Sequence, residues 1–190
     1  MSSERERMLI GELYRADDPE LVTARRECQR RLEQFNAGES GVLRELLGSL
    51  GEGSEVLPSF RCDYGTHISI GAGCFINYDA VFLDCGSITV GDHVQIGPRV
   101  QLVTALHPVD DIEARRAGWE SAAPIVVGDN VWLAAGVIVC PGVTIGENSV
   151  VGAGSVVTRD VPAGVLAVGS PCRVLRKLKN PAAEGLEKPV

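Results

Sequence analysis

Apolar residues follow two different periods along the chain, and the change between them divides it. From residue 5 to about residue 50 the spacing is helical: Leu21, Leu32 and Phe35, with Val22 and Cys28, make an apolar stripe. Asp17 and Asp18 ahead of Pro19 provide a cap and a first-turn proline, and Asn36-Ala37-Gly38 provides an ending. Val42 to Leu50 reads as a second short helix. The pattern predicts a small helical segment over residues 1–55.

From about residue 66 the period becomes six. Val127, Leu133, Val139, Ile145, Val151 and Val157 form one aliphatic row. Two places earlier runs a second row, Ile125, Val131, Val137, Val143, Ser149 and Ser155. Three places after the first row stand Asn130, Gly136, Gly142, Asn148, Gly154 and Asp160, residue types that tolerate positive φ and tight corners. Neither a 3.6-residue helix nor plain two-residue alternation produces all three rows. A six-residue unit with two inward positions and one corner is one side of a triangular coil. Three sides make a turn of about 18 residues, stacked at roughly the 4.8 Å spacing of strands. The fold class predicted is therefore mainly β: a left-handed parallel β-helix of hexapeptide repeats over residues 56–172. The rows start at Ile70 and Ile76, slip around Phe82 and Leu83, and resume at Val90, Ile96 and Leu102. They break between about residues 104 and 124, a polar stretch that must leave the coil as a loop, and long loops in compact repeats tend to carry function. Residues 173–190 read as a short C-terminal helix followed by a mobile tail.

Composition agrees with a narrow core. Glycine numbers 22 and aromatics are only 5%, so small branched side chains must fill the interior. The net charge of −7 argues against broad nucleic-acid binding, which needs a basic face. Only the stretch with Arg173, Arg176, Lys177 and Lys179 is locally basic, enough for one small anionic ligand. There is no apolar run of membrane-spanning length, and the first residues are charged where a secretory signal would be apolar. A cytoplasmic protein with no membrane partner is expected. Six scattered cysteines without a C-x-x-C pair then read as free thiols.

Candidate chemistry is sparse. Of three histidines, His67 and His93 read as structural, whereas His107 stands at the mouth of the extruded loop, ahead of Pro108. An imidazole there is a suitable proton acceptor near neutral pH. The separations between these histidines do not suit a metal site, so no metal is expected. Asp63, Asn77, Asp79 and Asp84 interrupt an apolar region; they are either corner residues or the many-directional partners that sugar hydroxyls require.

With these features in place, the chain resembles the maltose and galactoside O-acetyltransferase family. The segments MLIGELYRADDPELVTARR, FRCDYGTHISIGAGCFINYDAVFLD, TALHPVD and PIVVGDNVWLAAGVIVCPGVTIGENSVVGAGSVVTRDVPAGVLAVGSPCRVLRKL carry the likeness in that order. The resemblance implies an acetyl-CoA-dependent O-acetyltransferase acting on a sugar such as maltose, glucose or a galactoside, assembled as a homotrimer with sites between subunits. It implies His107 as general base, and Arg25, Asp63, Asn77 and Asp84 around the acceptor. Ala135, Ala153, Thr158, Arg159, Arg173 and Arg176 would contact acetyl-CoA. Backbone N–H groups at Ala134, Ala135 and Gly136 are candidates for holding the developing oxyanion. A non-sugar small alcohol or drug as acceptor, and a non-catalytic hexapeptide scaffold, are the alternatives.

Overall fold

The computed structural model describes residues 2–39 and 41–179. Its centre is a left-handed parallel β-helix whose short strands stack into three flat faces. The first face stacks Ser49–Leu50, Ile68–Ile70, Ile88–Val90, Ile125–Val127 and Thr144–Ile145. The second begins with Glu55–Val56, Phe75–Ile76, Gln95–Ile96, Trp132–Leu133 and Val150–Val151. The third stacks Arg61–Cys62, Val81–Leu83, Gln101–Val103, Ile138–Val139 and Val156–Val157. The chain visits the faces in rotation, so each register pair joins successive coils: Ile76 lies against Ile96, and Leu133 against both Ile96 and Val151.

Every residue of the main aliphatic row is buried at 1% exposure or less, and the second row is buried at 3% or less. Each such Val, Ile or Leu contributes about 1.5–3 kcal/mol by leaving water, which suits a core too narrow for stacked rings. The two serines ending the second row remain dry by bonding backbone: Ser149 Oγ donates to Pro162 O, and Ser155 Oγ to Gly152 O. The corner prediction holds at Asn130 and Asn148, with φ of 54° and 58°, and at His93, with φ of 57°. Gly51, Gly71 and Gly91 form a column where successive coils approach too closely for any side chain; a Cβ at Gly51 would fall 2.3 Å from Gly71 C.

The helical segment contains α1 (Glu4–Leu9), α2 (Pro19–Asn36) and α3 (Val42–Leu46). Asp18 caps α2, its side chain accepting from Glu20 N, and Leu21, Cys28, Leu32 and Phe35 form the buried side. Two expectations are corrected. The second helix ends at Leu46, because Ser49–Leu50 pairs parallel with Ser69–Ile70 and so begins the coil ladder ahead of residue 56. The C-terminal stretch is no helix either: Cys172–Lys177 returns antiparallel on Val165–Gly169 and covers the open end of the second face. Its Arg173, Arg176 and Lys177 charge what is now the outermost strand, as edges that must not pair with another chain commonly are. The tail from Asn180 lies outside the described residues. Among the described residues, no helix is long and apolar enough to cross a membrane.

Candidate active site

The departures from the six-residue period all stack on one edge of the prism, between the third and first faces. Register pairing aligns Cys62 with Phe82, and Ile70 with Val90, so the steps Cys62 to Ile70 and Phe82 to Val90 are eight residues rather than six. In the next coil this corner runs from Leu102 to Val127 and contains the extruded loop. What the sequence shows as a slip around Phe82 and Leu83 is a corner enlarged by two residues; Phe82 itself is fully buried in its row.

The enlarged corners bury polar groups. Asp84 has no exposed surface, and its Oδ1 accepts from Asp63 N and Tyr64 N, both at 2.9 Å. Oδ2 lies 4.0 Å from His67 Nδ1 and has no hydrogen-bond partner among the described residues. Burial pushes the Asp84 carboxyl above the usual carboxylate range; the backbone donors and the His67 ring act in the opposite direction. Asp84, expected around the acceptor, has no exposed surface in the single chain; it holds the turn that presents Asp63 and Tyr64. One coil further on, buried Thr104 serves the loop similarly: its Oγ1 donates to Leu83 O at 2.6 Å and accepts from Gly86 N at 2.8 Å.

Around this turn lie Arg25, Tyr64 and Asp63. Arg25, on α2, donates through Nη1 to Tyr64 Oη at 2.6 Å and through Nη2 to Ala16 O. Asp63 is half-buried, with Oδ2 3.5 Å from Cys85 Sγ. Burial raises its carboxyl, while the Cys85 contact and the Arg25 charge partly offset that. Arg25 and Asp63 line one groove of about 610 Å³ beside α2.

His107 projects from an arm. Ala105–Leu106 and Tyr14–Arg15 flank Trp119–Ala122 in a small antiparallel sheet, which ties the N-terminal segment to the loop. Buried Tyr14 donates its hydroxyl to Glu120 Oε2 at 3.0 Å. Beyond His107, helix α4 (Ile112–Arg116) carries Arg115, whose Nη1 donates to Pro108 O and Val109 O. The backbone on both sides of His107 is thus fastened, while the side chain is exposed and has no hydrogen bond among the described residues.

The other expected residues occupy the opposite edge of the third face. Asn77 lies there two coils ahead of Ala135, with the Gly97–Pro98 corner between them, and Ala153 lies one coil beyond, with Gly154 N donating to Ala135 O at 2.9 Å. Of the three candidate oxyanion donors, Ala134 N is spent on Val151 O and Gly136 N on Pro98 O, leaving Ala135 N–H uncommitted among the described residues. Gly97 packs closely against that peptide: a Cβ there would lie 2.7 Å from Ala135 N and 2.9 Å from Ala134 C. Thr158 and Arg159 sit back on the loop edge, and Arg159 and Arg173 line a cleft of about 140 Å³. Arg176 is exposed on the last strand. Within one chain, then, Arg25, Asp63 and Asp84 form one cluster, while His107 and Asn77 belong to different edges. Tyr14, Tyr64, Thr104 and Glu120 were not singled out from the sequence; the eight-residue steps were the available signal.

Comparison with known proteins agrees with this geometry. The maltose acetyltransferase hexapeptide capping motif matches residues 7–51, and the bacterial transferase hexapeptide pattern of six repeats matches residues 124–159. The galactoside O-acetyltransferase of Escherichia coli (strain K12) is 36% identical over 182 residues, covering 92% of this chain and 89% of that protein. The chain belongs to the maltose and galactoside O-acetyltransferase family. Members of this hexapeptide family are acyltransferases, and so is this chain. A maltose O-acetyltransferase structure from Clostridium difficile 630 superposes with a TM-score of 0.91 at 45% identity, covering 94% of this chain and 99% of that one. A galactoside acetyltransferase in complex with coenzyme A superposes with a TM-score of 0.91 at 34% identity, over 100% and 97% of the two chains.

Proposed function

We propose that this acyltransferase moves the acetyl group of acetyl-CoA onto a sugar hydroxyl, with His107 as general base. The observation that carries the reading is the extruded arm, which fastens the backbone around His107 and leaves its imidazole free. His107 removes the hydroxyl proton as the sugar oxygen attacks the thioester carbonyl; the C–O bond forms, the C–S bond then breaks, and the proton passes to the departing sulfur. Such a base is worth about 10²–10⁴ in rate. Ala135 N–H stabilises the oxyanion, and Arg25 and Asp63 orient the acceptor. Arg159, Arg173 and Arg176 meet the anionic groups of the cofactor, with Ala153 and Thr158 beside it.

The division of residues between two edges supports a homotrimer. In a closed ring of identical copies, one edge of each prism faces the opposite edge of its neighbour, so Asn77 and Ala135 of one copy complete the site that contains His107 of the next. The test measures thiol release from acetyl-CoA with glucose, maltose and a galactoside, for the native protein and for His107→Ala. A fall of about 10²–10⁴ in kcat at similar acceptor KM is expected. Unaltered turnover in the variant rules out the assigned base.

A further inference from the structure

The groove that contains Arg25 and Asp63 does not stop at them. It continues along α2 past Arg26 and Gln29 to Arg30 and Glu33, flanking the buried stripe of Leu21, Cys28 and Leu32. From Arg25 to Glu33 this stripe runs about 12 Å at 1.5 Å per residue, longer than one pyranose ring. Its volume of about 610 Å³ lies within the usual range of small-molecule sites.

We infer that this groove is a subsite for further sugar units, making the preferred acceptor a neutral oligosaccharide or extended glycoside rather than a monosaccharide. The inference rests on the proposed sugar acetyltransferase reading. Three observations support it. The near end is built rather than merely exposed: Arg25 is held by Tyr64 and Ala16, and Gln29 Nε2 donates to Cys62 O at 2.9 Å, which turns its carbonyl oxygen free for a ligand. The lining alternates donors (Arg25, Arg26) with acceptors (Gln29 Oε1, Glu33, Asp63), the mixture that hydroxyl groups satisfy because each both donates and accepts. Finally, Glu33 and Asp63 oppose Arg25 and Arg26, and Arg30, the third arginine of the lining, is paired with Glu27, so an anionic extension gains little. Arg26 and Glu33 make no side-chain hydrogen bond or ion pair among the described residues, whereas nearby Arg30 is occupied by Glu27.

Hydrogen bonds in the subsite hold substrate and transition state alike, so they lower KM and leave kcat almost unchanged. The experiment measures acceptor KM and kcat for a mono-, di- and trisaccharide series of one neutral sugar, in the native protein and in Arg26→Ala, Glu33→Ala and the double variant. One or two added hydrogen bonds predict a KM about 3- to 10-fold lower for the longer acceptors in the native protein. The ratio of monosaccharide to trisaccharide KM should fall towards one in the double variant. A native ratio of one, or a ratio that survives both substitutions, overturns the subsite. If no sugar of any length is acetylated, the proposed function falls with it; if monosaccharides react without any length effect, only the subsite falls.

Discussion

Asp84 permits a sharp comparison of two substitutions. In Asp84→Ala the backbone N–H groups of Asp63 and Tyr64 lose their 2.9 Å acceptor inside a region closed to water. Each unsatisfied buried donor costs about 1–3 kcal/mol, so the loss is roughly 2–6 kcal/mol, less whatever is regained by removing a desolvated carboxylate. Asp84→Asn keeps an acceptor oxygen for both donors and removes the charge, so it should stay within about 1 kcal/mol of the native protein near neutral pH. Urea titration of the three proteins at matched concentration measures the difference. The pH dependence follows from the raised carboxyl: the folded state binds this proton more tightly than the unfolded state. The Asp84 contribution is therefore fully present below the unfolded pKa and is lost as pH rises through the higher folded value. Native stability should fall relative to Asp84→Asn as pH rises from about 4, the ordinary carboxylate value, through the raised folded one. Equal midpoints for the Ala and Asn variants, or parallel native and Asn curves across that window, would refute the clamp.

Other outcomes follow from single contacts. Gly97→Ala places a Cβ 2.7 Å from Ala135 N, and steady-state kinetics should show a kcat loss of about 10²–10³ if that N–H serves the oxyanion; unchanged kcat would assign the donor elsewhere. Asn130, at φ 54°, should lose about 1–2 kcal/mol as Asn130→Ala and much less as Asn130→Gly in chemical denaturation, and identical variants would contradict the strained corner. Timed alkylation read by peptide mass spectrometry should label half-buried Cys140 before buried Cys62 or Cys85, whose thiol burial and the Asp63 charge push up to about 12; equal labelling rates would argue against that burial.

The β-helix could be recognised from the chain because its core is periodic: a coil that repeats its backbone every three sides repeats its side-chain demands, and the Val127 to Val157 row records them directly. His107 could be singled out as a candidate for a related reason, standing where the period breaks. The C-terminal strand was not, because Cys172–Lys177 is short and basic without a period of its own, and only the unfilled edge beside Val165–Gly169 makes it a strand. Nor could the sequence separate Asp63 from Asp84. Both are aspartates in one apolar region, yet the two extra residues at stacked corners leave one half-exposed and enclose the other. Local pattern determines which way a side chain faces, inward or outward. Whether an outward group meets solvent, a groove or a neighbouring turn depends on what distant segments bring against it, and here α2, the arm and the stacked corners decided that.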